Sequence, residues 1–189
     1  PEPRAFLSVD LHHDEHIVGF GQTFGRLDRT GTSQELWVQE GIGNSSPASY
    51  IRAPFHVSNR GHGMFMHTSN MVTAHVGSID HSALSMVVDG AESLDWFVIS
   101  GTPSEVLGRY ASISGAAALP PAWTFGLWMS RLTYSSQVEV ADVAHELRRR
   151  RIPADVIHID TGWFEHSGLC DLKFAPDRFP DPSVMVSSM

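Results

Sequence analysis

The sequence has few cysteines, few positive charges and no long apolar runs, and each of these shortages argues against a class of protein. It has one cysteine, Cys170, in 189 residues, which excludes an internal disulfide framework and fits a reducing compartment such as the cytoplasm. It has 13 lysines and arginines against 21 aspartates and glutamates, and this net charge of −8 argues against a nucleic-acid partner. No run approaches the roughly 18 apolar residues of a membrane span, so we expect no membrane partner.

Residues 1 to about 100 have the pattern of short strands separated by turns. Apolar or alternating runs recur along them, and Asp89-Gly90 is a turn signal between the last two. The predicted strands are residues 6–11, 17–20, 54–57, 63–66, 71–76, 84–88 and 94–99. This spacing is typical of a β-sandwich rather than of alternating strands and helices.

Two capping boxes predict helices in the second half of the sequence. Thr102-Pro-Ser-Glu105 begins a helix that ends before Gly115, and Ser136-Gln-Val-Glu139 begins an amphipathic helix that ends by Pro153. The second helix lies between two apolar runs, 123–129 and 156–159, which we expect to be strands buried on both faces.

A strand, a helix and a strand in this order predict a βαβ unit with parallel strands. A complete (β/α)₈ barrel needs roughly 250 residues, so this half can supply only the first strands of one. The predicted fold class is therefore mixed. Residues 1–118 form an N-terminal β-sandwich domain with a connecting helix, and residues 119–189 form the first βαβ unit of an incomplete barrel.

Asp160 ends the second apolar run, at the position where barrel enzymes hold their substrates. Its carboxylate could accept two hydroxyl hydrogen bonds there, and Trp163 could offer a flat apolar face to a ligand. A helix N-cap or a buried ion pair is the alternative for Asp160, and a core filler is the alternative for Trp163.

The histidines and the cysteine do not predict a metal site or a nucleophile. His12, His13 and His16 lack the His-Glu-x-x-His spacing of metalloproteases. Cys170 has no nearby histidine that could act as its base. We therefore expect neither a metal nor a cofactor.

Several runs together resemble glycoside hydrolase family 31, in the right order and over nearly the whole chain. Gly19-Phe-Gly-Gln22 resembles the family's Gly-Leu-Gly-Glu turn, with glutamine in place of the usual glutamate. His158-Ile-Asp-Thr-Gly-Trp163 is most similar to the α-xylosidase branch of the family. The other runs are Trp37-Val-Gln-Glu-Gly41, Pro54-Phe-His-Val-Ser-Asn-Arg-Gly61, Leu119-Pro-Pro-Ala-Trp-Thr-Phe-Gly-Leu-Trp128, Ile152-Pro-Ala-Asp-Val-Ile-His-Ile-Asp160 and Phe174-Ala-Pro-Asp-Arg-Phe-Pro-Asp-Pro182.

The resemblance implies retaining hydrolysis of α-glycosides in oligosaccharides by two aspartates, with α-xylosides as the first substrate class and α-glucosides as the alternative. In the family these aspartates lie on later barrel strands, in a motif resembling Lys-x-Asp-Phe-Gly-Glu, and no such motif occurs here. We therefore expect a fragment without catalytic residues that is inactive alone. A carbohydrate-binding sandwich module and the product of an interrupted reading frame are alternatives. The resemblance is compatible with oligomers among full-length relatives.

Five residues are candidates for substrate binding, and the resemblance implies roles for all of them except Trp163. Asp160 matches an aspartate that binds sugar hydroxyls in the −1 subsite, and Thr161 occupies a position that lines the pocket in relatives. Tyr134 matches an aromatic residue at the border of the pocket, with core or loop packing as the alternative. Glu40 lies where relatives direct a loop toward the +1 subsite, and a surface glutamate is its alternative.

Overall fold

The computed structural model of the protein describes residues 2–40, 48–166 and 170–189. The chain forms two compact units, Pro1–Ala117 and Ala118–Met189. None of the helices within the described residues is both long and apolar enough to cross a membrane.

The first unit is built from two four-stranded antiparallel sheets. One has the order β1-β7-β6-β3 and the other the order β2-β4-β5-β8. The strands are β1 (Arg4–Asp10), β2 (Ile17–Gly19), β3 (Thr32–Leu36), β4 (Phe55–Ser58), β5 (His62–His67), β6 (Val72–Val76), β7 (Ala83–Asp89) and β8 (Asp95–Ser100). Seven of them correspond to predicted strands, whereas β3 was not predicted.

Side chains from both sheets meet in one hydrophobic cluster. Alternate residues of β6 and β7 point inward, because successive side chains of a strand face opposite sides. The buried members include Ile17, Leu36, Met66, Val72, Ala74, Val76, Leu84, Met86 and Val88. The mainly β character of this half is confirmed, and the face-to-face arrangement of a sandwich stays a prediction.

The buried polar side chains of the first unit include His56 and Glu15. His56 on β4 is almost fully buried near the Phe20 ring, and neither ring nitrogen has a hydrogen-bond partner among the described residues. Burial, together with the smaller effect of the His62 charge, lowers the pKa of His56 to about 3. Glu15 is buried as well, where it accepts a hydrogen bond from the Ser58 hydroxyl and lies 3.4 Å from His62 Nε2.

The first unit ends with the helix α1 (Pro103–Ser114), which has the predicted capping box. The Thr102 side chain accepts a hydrogen bond from the Glu105 backbone N–H at 3.4 Å, and the Glu105 carboxylate accepts one from Thr102 N–H at 2.8 Å. This backbone donor and the Thr102 hydroxyl lower the pKa of Glu105. Val106 of the helix packs on the sheet over Gly63, where an added Cβ would lie 2.5 Å from a Val106 methyl carbon.

The second unit contains the predicted βαβ arrangement. Its elements are β9 (Trp128–Ser130), α2 (Gln137–Arg149), β10 (Val156–His158) and α3 (Pro182–Ser187). The strands β9 and β10 pair in parallel, and α2 connects them. At the start of α2 the Ser136 hydroxyl accepts from Glu139 N–H at 3.2 Å, but the Glu139 carboxylate accepts from Ser135 N–H at 2.7 Å. The predicted capping box is thus present only in part, because the Glu139 carboxylate binds the backbone N–H of Ser135 and not that of Ser136.

The prediction of a single buried strand over 123–129 is wrong. Ala122–Phe125 is a 3₁₀ turn, and β9 begins only at Trp128, whose side chain is 48% exposed. The Thr124 hydroxyl donates to the carbonyl oxygen of Pro121 at 2.7 Å and so stabilises the turn. The described residues of β9 and β10 are exposed or half-buried, so burial on both faces is also wrong.

Candidate functional site

The predicted polar residues of the second unit lie at two neighbouring strand ends. Tyr134 follows β9 and Asp160 follows β10, and these strands are parallel. The carboxyl ends of parallel strands meet at one edge of the sheet, which is where barrel enzymes place their active sites. A β-bridge joins the backbone of Asp160 to that of Thr133. The structure therefore brings Asp160 next to the loop that carries Tyr134.

Asp160 has an unusual backbone conformation and an unpaired carboxylate. Its φ of 51° lies in the left-handed region, which aspartate tolerates better than most side chains. The side chain is half-buried, and none of the described residues forms a hydrogen bond or ion pair with its carboxylate. No helix begins at Asp160. This environment does not match the N-cap or ion-pair alternatives, and it leaves both oxygens free to accept hydrogen bonds.

The loop after Asp160 is fixed by Arg178. Its Nη1 donates to the carbonyl oxygen of Gly162 and its Nη2 to that of Phe164, each at 2.7 Å. The backbone N–H of Ala175 donates to the carbonyl oxygen of Trp163 at 2.9 Å. Three bonds within three residues limit the freedom of the loop. The prediction from sequence missed Arg178, although it lies in a run that carries the family resemblance.

Gly162 allows the two strand-end loops to approach each other. An added Cβ would lie 2.6 Å from Thr133 Cγ2 and 2.8 Å from the Tyr134 carbonyl oxygen. The second distance involves backbone, which cannot move aside as a flexible side chain can. A glycine is therefore required for this approach.

Tyr134 is fully buried, in a cluster with Val140, Phe179 and Met185. Its hydroxyl is buried without a hydrogen-bond partner among the described residues, and burial raises the pKa of this group. The guanidinium carbon of Arg131 lies 5.3 Å from the ring centroid. These contacts favour the packing alternative, and a role at the border of the pocket stays a prediction.

Trp163 and Thr161 differ in their surroundings. The half-buried Trp163 ring lies 4.4 Å from the Phe164 ring and 4.7 Å from the Phe174 ring, measured between centroids. It therefore combines packing with a partly open surface. Thr161 is exposed beside Asp160.

Glu40 belongs to the first unit, whereas the other four predicted residues belong to the second. It is exposed, and the described residues form no hydrogen bond or ion pair with its carboxylate. Both its role near the +1 subsite and the surface alternative stay predictions.

Two groups at the surface of the described residues bring metal-binding side chains together, and only Asp171 among them is half-buried. One is His12, His13 and Asp14, and the other is Glu165, His166 and Asp171. In the first, Arg60 Nη1 already lies 2.8 Å from Asp14 Oδ1, and a hydrogen bond from His12 lowers the pKa of Asp14. The prediction that the protein holds no metal stays untested.

Two family models match the sequence, one in each half. Residues 2–73 match the glycosyl hydrolase 31 N-terminal galactose mutarotase-like domain. Residues 117–189 match the TIM-barrel domain of glycosyl hydrolases family 31.

Similar curated proteins carry α-xylosidase and α-glucosidase names. The α-xylosidase XylQ of Lactiplantibacillus pentosus is 36% identical over 98% of this chain and 24% of its own length. An α-xylosidase of Emericella nidulans is 35% identical over 96% of this chain and 23% of its own length. Alpha-glucosidase 2 of Bacillus thermoamyloliquefaciens is 28% identical over 93% of this chain. The chain thus spans about a quarter of the length of these relatives.

A solved structure supports the same relationship. The dextranase of Flavobacterium johnsoniae, a family 31 enzyme complexed with isomaltotriose, superposes with a TM-score of 0.89 at 26% identity. The match covers 98% of this chain and 23% of the dextranase. Both family models, these relatives and this structure agree, and the chain belongs to glycoside hydrolase family 31, near its α-xylosidase branch.

Proposed function

We propose that this chain provides the sugar-holding part of the −1 subsite in a retaining α-glycosidase that acts on α-xylosides of oligosaccharides. The carboxylate of Asp160 is the observation that carries the proposal. It lies at the carboxyl end of a parallel strand and has no partner among the described residues. An ionised carboxylate accepts charge-assisted hydrogen bonds from two hydroxyl groups, which adjacent carbons of a pyranose provide.

The conformation of Asp160 supports a functional role. A non-glycine residue in a sparsely populated backbone region costs about 1–3 kcal/mol and persists where the surrounding structure holds it. Here the Arg178 hydrogen bonds and the close approach at Gly162 hold the adjoining loop. Binding sites need such fixed geometry, because a mobile carboxylate loses entropy on binding.

The names of the relatives favour α-xylosides over α-glucosides. Three proteins named α-xylosidase are 36%, 35% and 30% identical to this chain, whereas three named as glucosidases are 32%, 28% and 26% identical. An α-glucoside is the second candidate substrate. Xylose lacks the hydroxymethyl group of glucose, so a direct comparison of the two sugars separates the candidates.

We expect these 189 residues alone to bind sugar but not to turn it over. A retaining glycosidase needs two carboxyl groups roughly 5 Å apart, one as nucleophile and one as acid and base. The Asp-Phe-Gly-Glu motif expected around one of them does not occur in the sequence. Robust hydrolysis of p-nitrophenyl α-xyloside by the purified chain would contradict this expectation.

We also propose the domain boundaries 1–118 and 119–189, with a sandwich in the first domain. The shared cluster of side chains from both sheets supports the sandwich. The single, exposed cysteine supports a cytoplasmic location, where thiols stay reduced.

A comparison of two charge-neutralising variants tests the binding proposal. Isoprimeverose, a disaccharide with a terminal α-xylose, is titrated into the ¹⁵N-labelled chain and chemical-shift changes are followed by NMR. We expect weak, saturable binding that Asp160→Asn weakens by about 10-fold or more, because a hydrogen bond to a charged group is worth about 1.5–3 kcal/mol. Asp142→Asn is the matched control, since Asp142 lies exposed on α2. Equal affinities of the Asp160→Asn variant and the unmodified chain would contradict the proposal.

A further inference from the structure

We propose that His158 is a second sugar-binding residue beside Asp160 and that Ser130 holds its ring in position. This inference rests on the proposed function, and it extends the site to a pair of residues on the two parallel strands. The ligand is a neutral pyranose with hydroxyl groups on adjacent carbons.

A side-chain hydrogen bond joins the carboxyl ends of the two parallel strands. Ser130 is the last residue of β9 and His158 the last residue of β10, and the two are partners in the strand register. Ser130 Oγ lies 3.1 Å from His158 Nδ1. The imidazole is therefore held at the same edge of the sheet as Asp160.

The His158 ring faces away from the helices of its unit. Ile157 and Ile159, its neighbours along the chain, pack against the cluster that includes Val140 of α2. Successive side chains of a strand point to opposite faces, so His158 lies on the other face, where it is exposed. Asp160 follows two residues later along the same segment.

The free nitrogen of the ring complements the carboxylate. With Nδ1 bonded to Ser130, Nε2 forms no hydrogen bond with the described residues. A Ser130 hydroxyl that donates to Nδ1 leaves the proton on Nε2, which is then a donor. Asp160 only accepts hydrogen bonds when ionised. A sugar hydroxyl both donates and accepts, so a donor and an acceptor at one strand end suit a pair of neighbouring hydroxyls.

The alternative is that Ser130 and His158 only tie the two strands together. Two substitutions of His158 separate the roles, because each preserves one of the two ring nitrogens. The amide of His158→Asn lies near the position of Nδ1 and keeps a partner for Ser130, but nothing replaces Nε2. The amide of His158→Gln reaches the position of Nε2 and gives up the bond to Ser130.

The experiment is the isoprimeverose titration by NMR on the 189-residue chain, with thermal unfolding of each variant alongside. We expect His158→Asn to weaken binding by about 5-fold or more, as loss of one hydrogen bond implies, and His158→Gln to retain most of the affinity. Ser130→Ala should change the balance of Nε2 and Nδ1 protonation, read from the ring ¹⁵N shifts, and weaken binding by a smaller factor.

The outcomes separate this inference from the proposed function. Unchanged affinity of His158→Asn, together with a loss in Asp160→Asn, would overturn the role of His158 and leave the proposed function standing. If both His158 variants lose affinity in proportion to a lowered unfolding temperature, the binding role of His158 would also be overturned. Ser130 and His158 would then serve only to join the two strands. If isoprimeverose shifts no resonance of the unmodified chain, the proposed function fails and the role of His158 fails with it.

Discussion

The two units of this chain contrast in how much apolar surface they bury. The first pairs eight described strands in antiparallel ladders and places most of their inward side chains in one cluster. The second has a two-stranded parallel sheet with short strands, and large apolar side chains remain exposed around it. These include Leu119, Trp123, Phe125, Leu127, Trp128 and Leu132. Helix caps are present in both units, but among the described residues the main buried cluster of the first unit has twelve members and that of the second unit has four.

The largest difference should appear in hydrogen exchange. We expect amides in β6 and β7 to be protected at least about 100-fold more than those in β9 and β10, because protection follows the free energy of local opening. Exchange of the whole chain measured by mass spectrometry, with peptides from each unit, provides the comparison. Equal, strong protection in both units would show that the second unit is stabilised by interactions other than burial.

A cavity in the first unit tests whether its core determines its stability. Leu84 is 1% exposed, and we expect Leu84→Ala to lower the free energy of unfolding by about 2–5 kcal/mol. Phe6→Ala is the control, since Phe6 is 68% exposed on the opposite face of the same sheet, and should change stability by less than about 1 kcal/mol. Urea unfolding followed by circular dichroism measures both. A similar loss in the two variants would contradict the assignment of the core.

Acid should destabilise the first unit through His56. Its pKa of about 3 in the folded protein lies below the ordinary value of 6.5, so the unfolded chain binds the proton more readily. The stabilisation from keeping this ring neutral is present above about pH 6.5 and is lost as the pH falls toward 3. Between pH 7 and pH 5 the loss should be of the order of 2 kcal/mol.

His56→Met removes the titrating group, so the free energy of unfolding should change less between pH 7 and pH 5. His13→Gln, an exposed histidine, is the control and should leave the dependence unchanged. Urea midpoints at several pH values measure the effect. A pH profile of the His56→Met variant that matches the unmodified chain would assign the acid sensitivity to other groups.

The smallest expected effect concerns the second unit, where hydrogen bonds from Arg178 hold the loop beside Asp160. Arg178→Ala removes two charged donors to loop carbonyls, and we expect a loss of about 1–2 kcal/mol in the stability of that unit. Sugar affinity should fall as well, because the loop beside Asp160 is released. Arg148→Ala, on the exposed end of α2, is the control. Unaltered affinity in Arg178→Ala would show that Asp160 keeps its position without this support.

The sequence correctly predicted those helices and strands whose patterns involve only residues close together in the chain. The capping box at Thr102 and the alternation in β7 each involve neighbouring residues, and both are present. The strand β3 was missed because Thr-Ser-Gln-Glu-Leu is largely polar, and only its pairing with β6 makes it a strand. The run 123–129 was misassigned because apolar content alone does not distinguish a strand from a turn.

The candidate site was predictable in part for the same reason. Asp160 is recognisable because it ends an apolar run, and its position at the edge of the parallel sheet agrees with that reasoning. Arg178 and Ser130 could not be identified, because each acts through a partner distant in the sequence. Burial of Tyr134 likewise depends on α2 and α3, which no local pattern places around the ring.

The absence of a side chain at Gly162 sets a dimension of the proposed sugar site. The loops after β9 and β10 approach each other so closely that a single added carbon atom would touch backbone on the other side. The distance between the two loops therefore depends on the lack of a Cβ atom at Gly162. Any larger residue at this position would act as a spacer that widens the site, so position 162 is a natural place to alter which sugars fit.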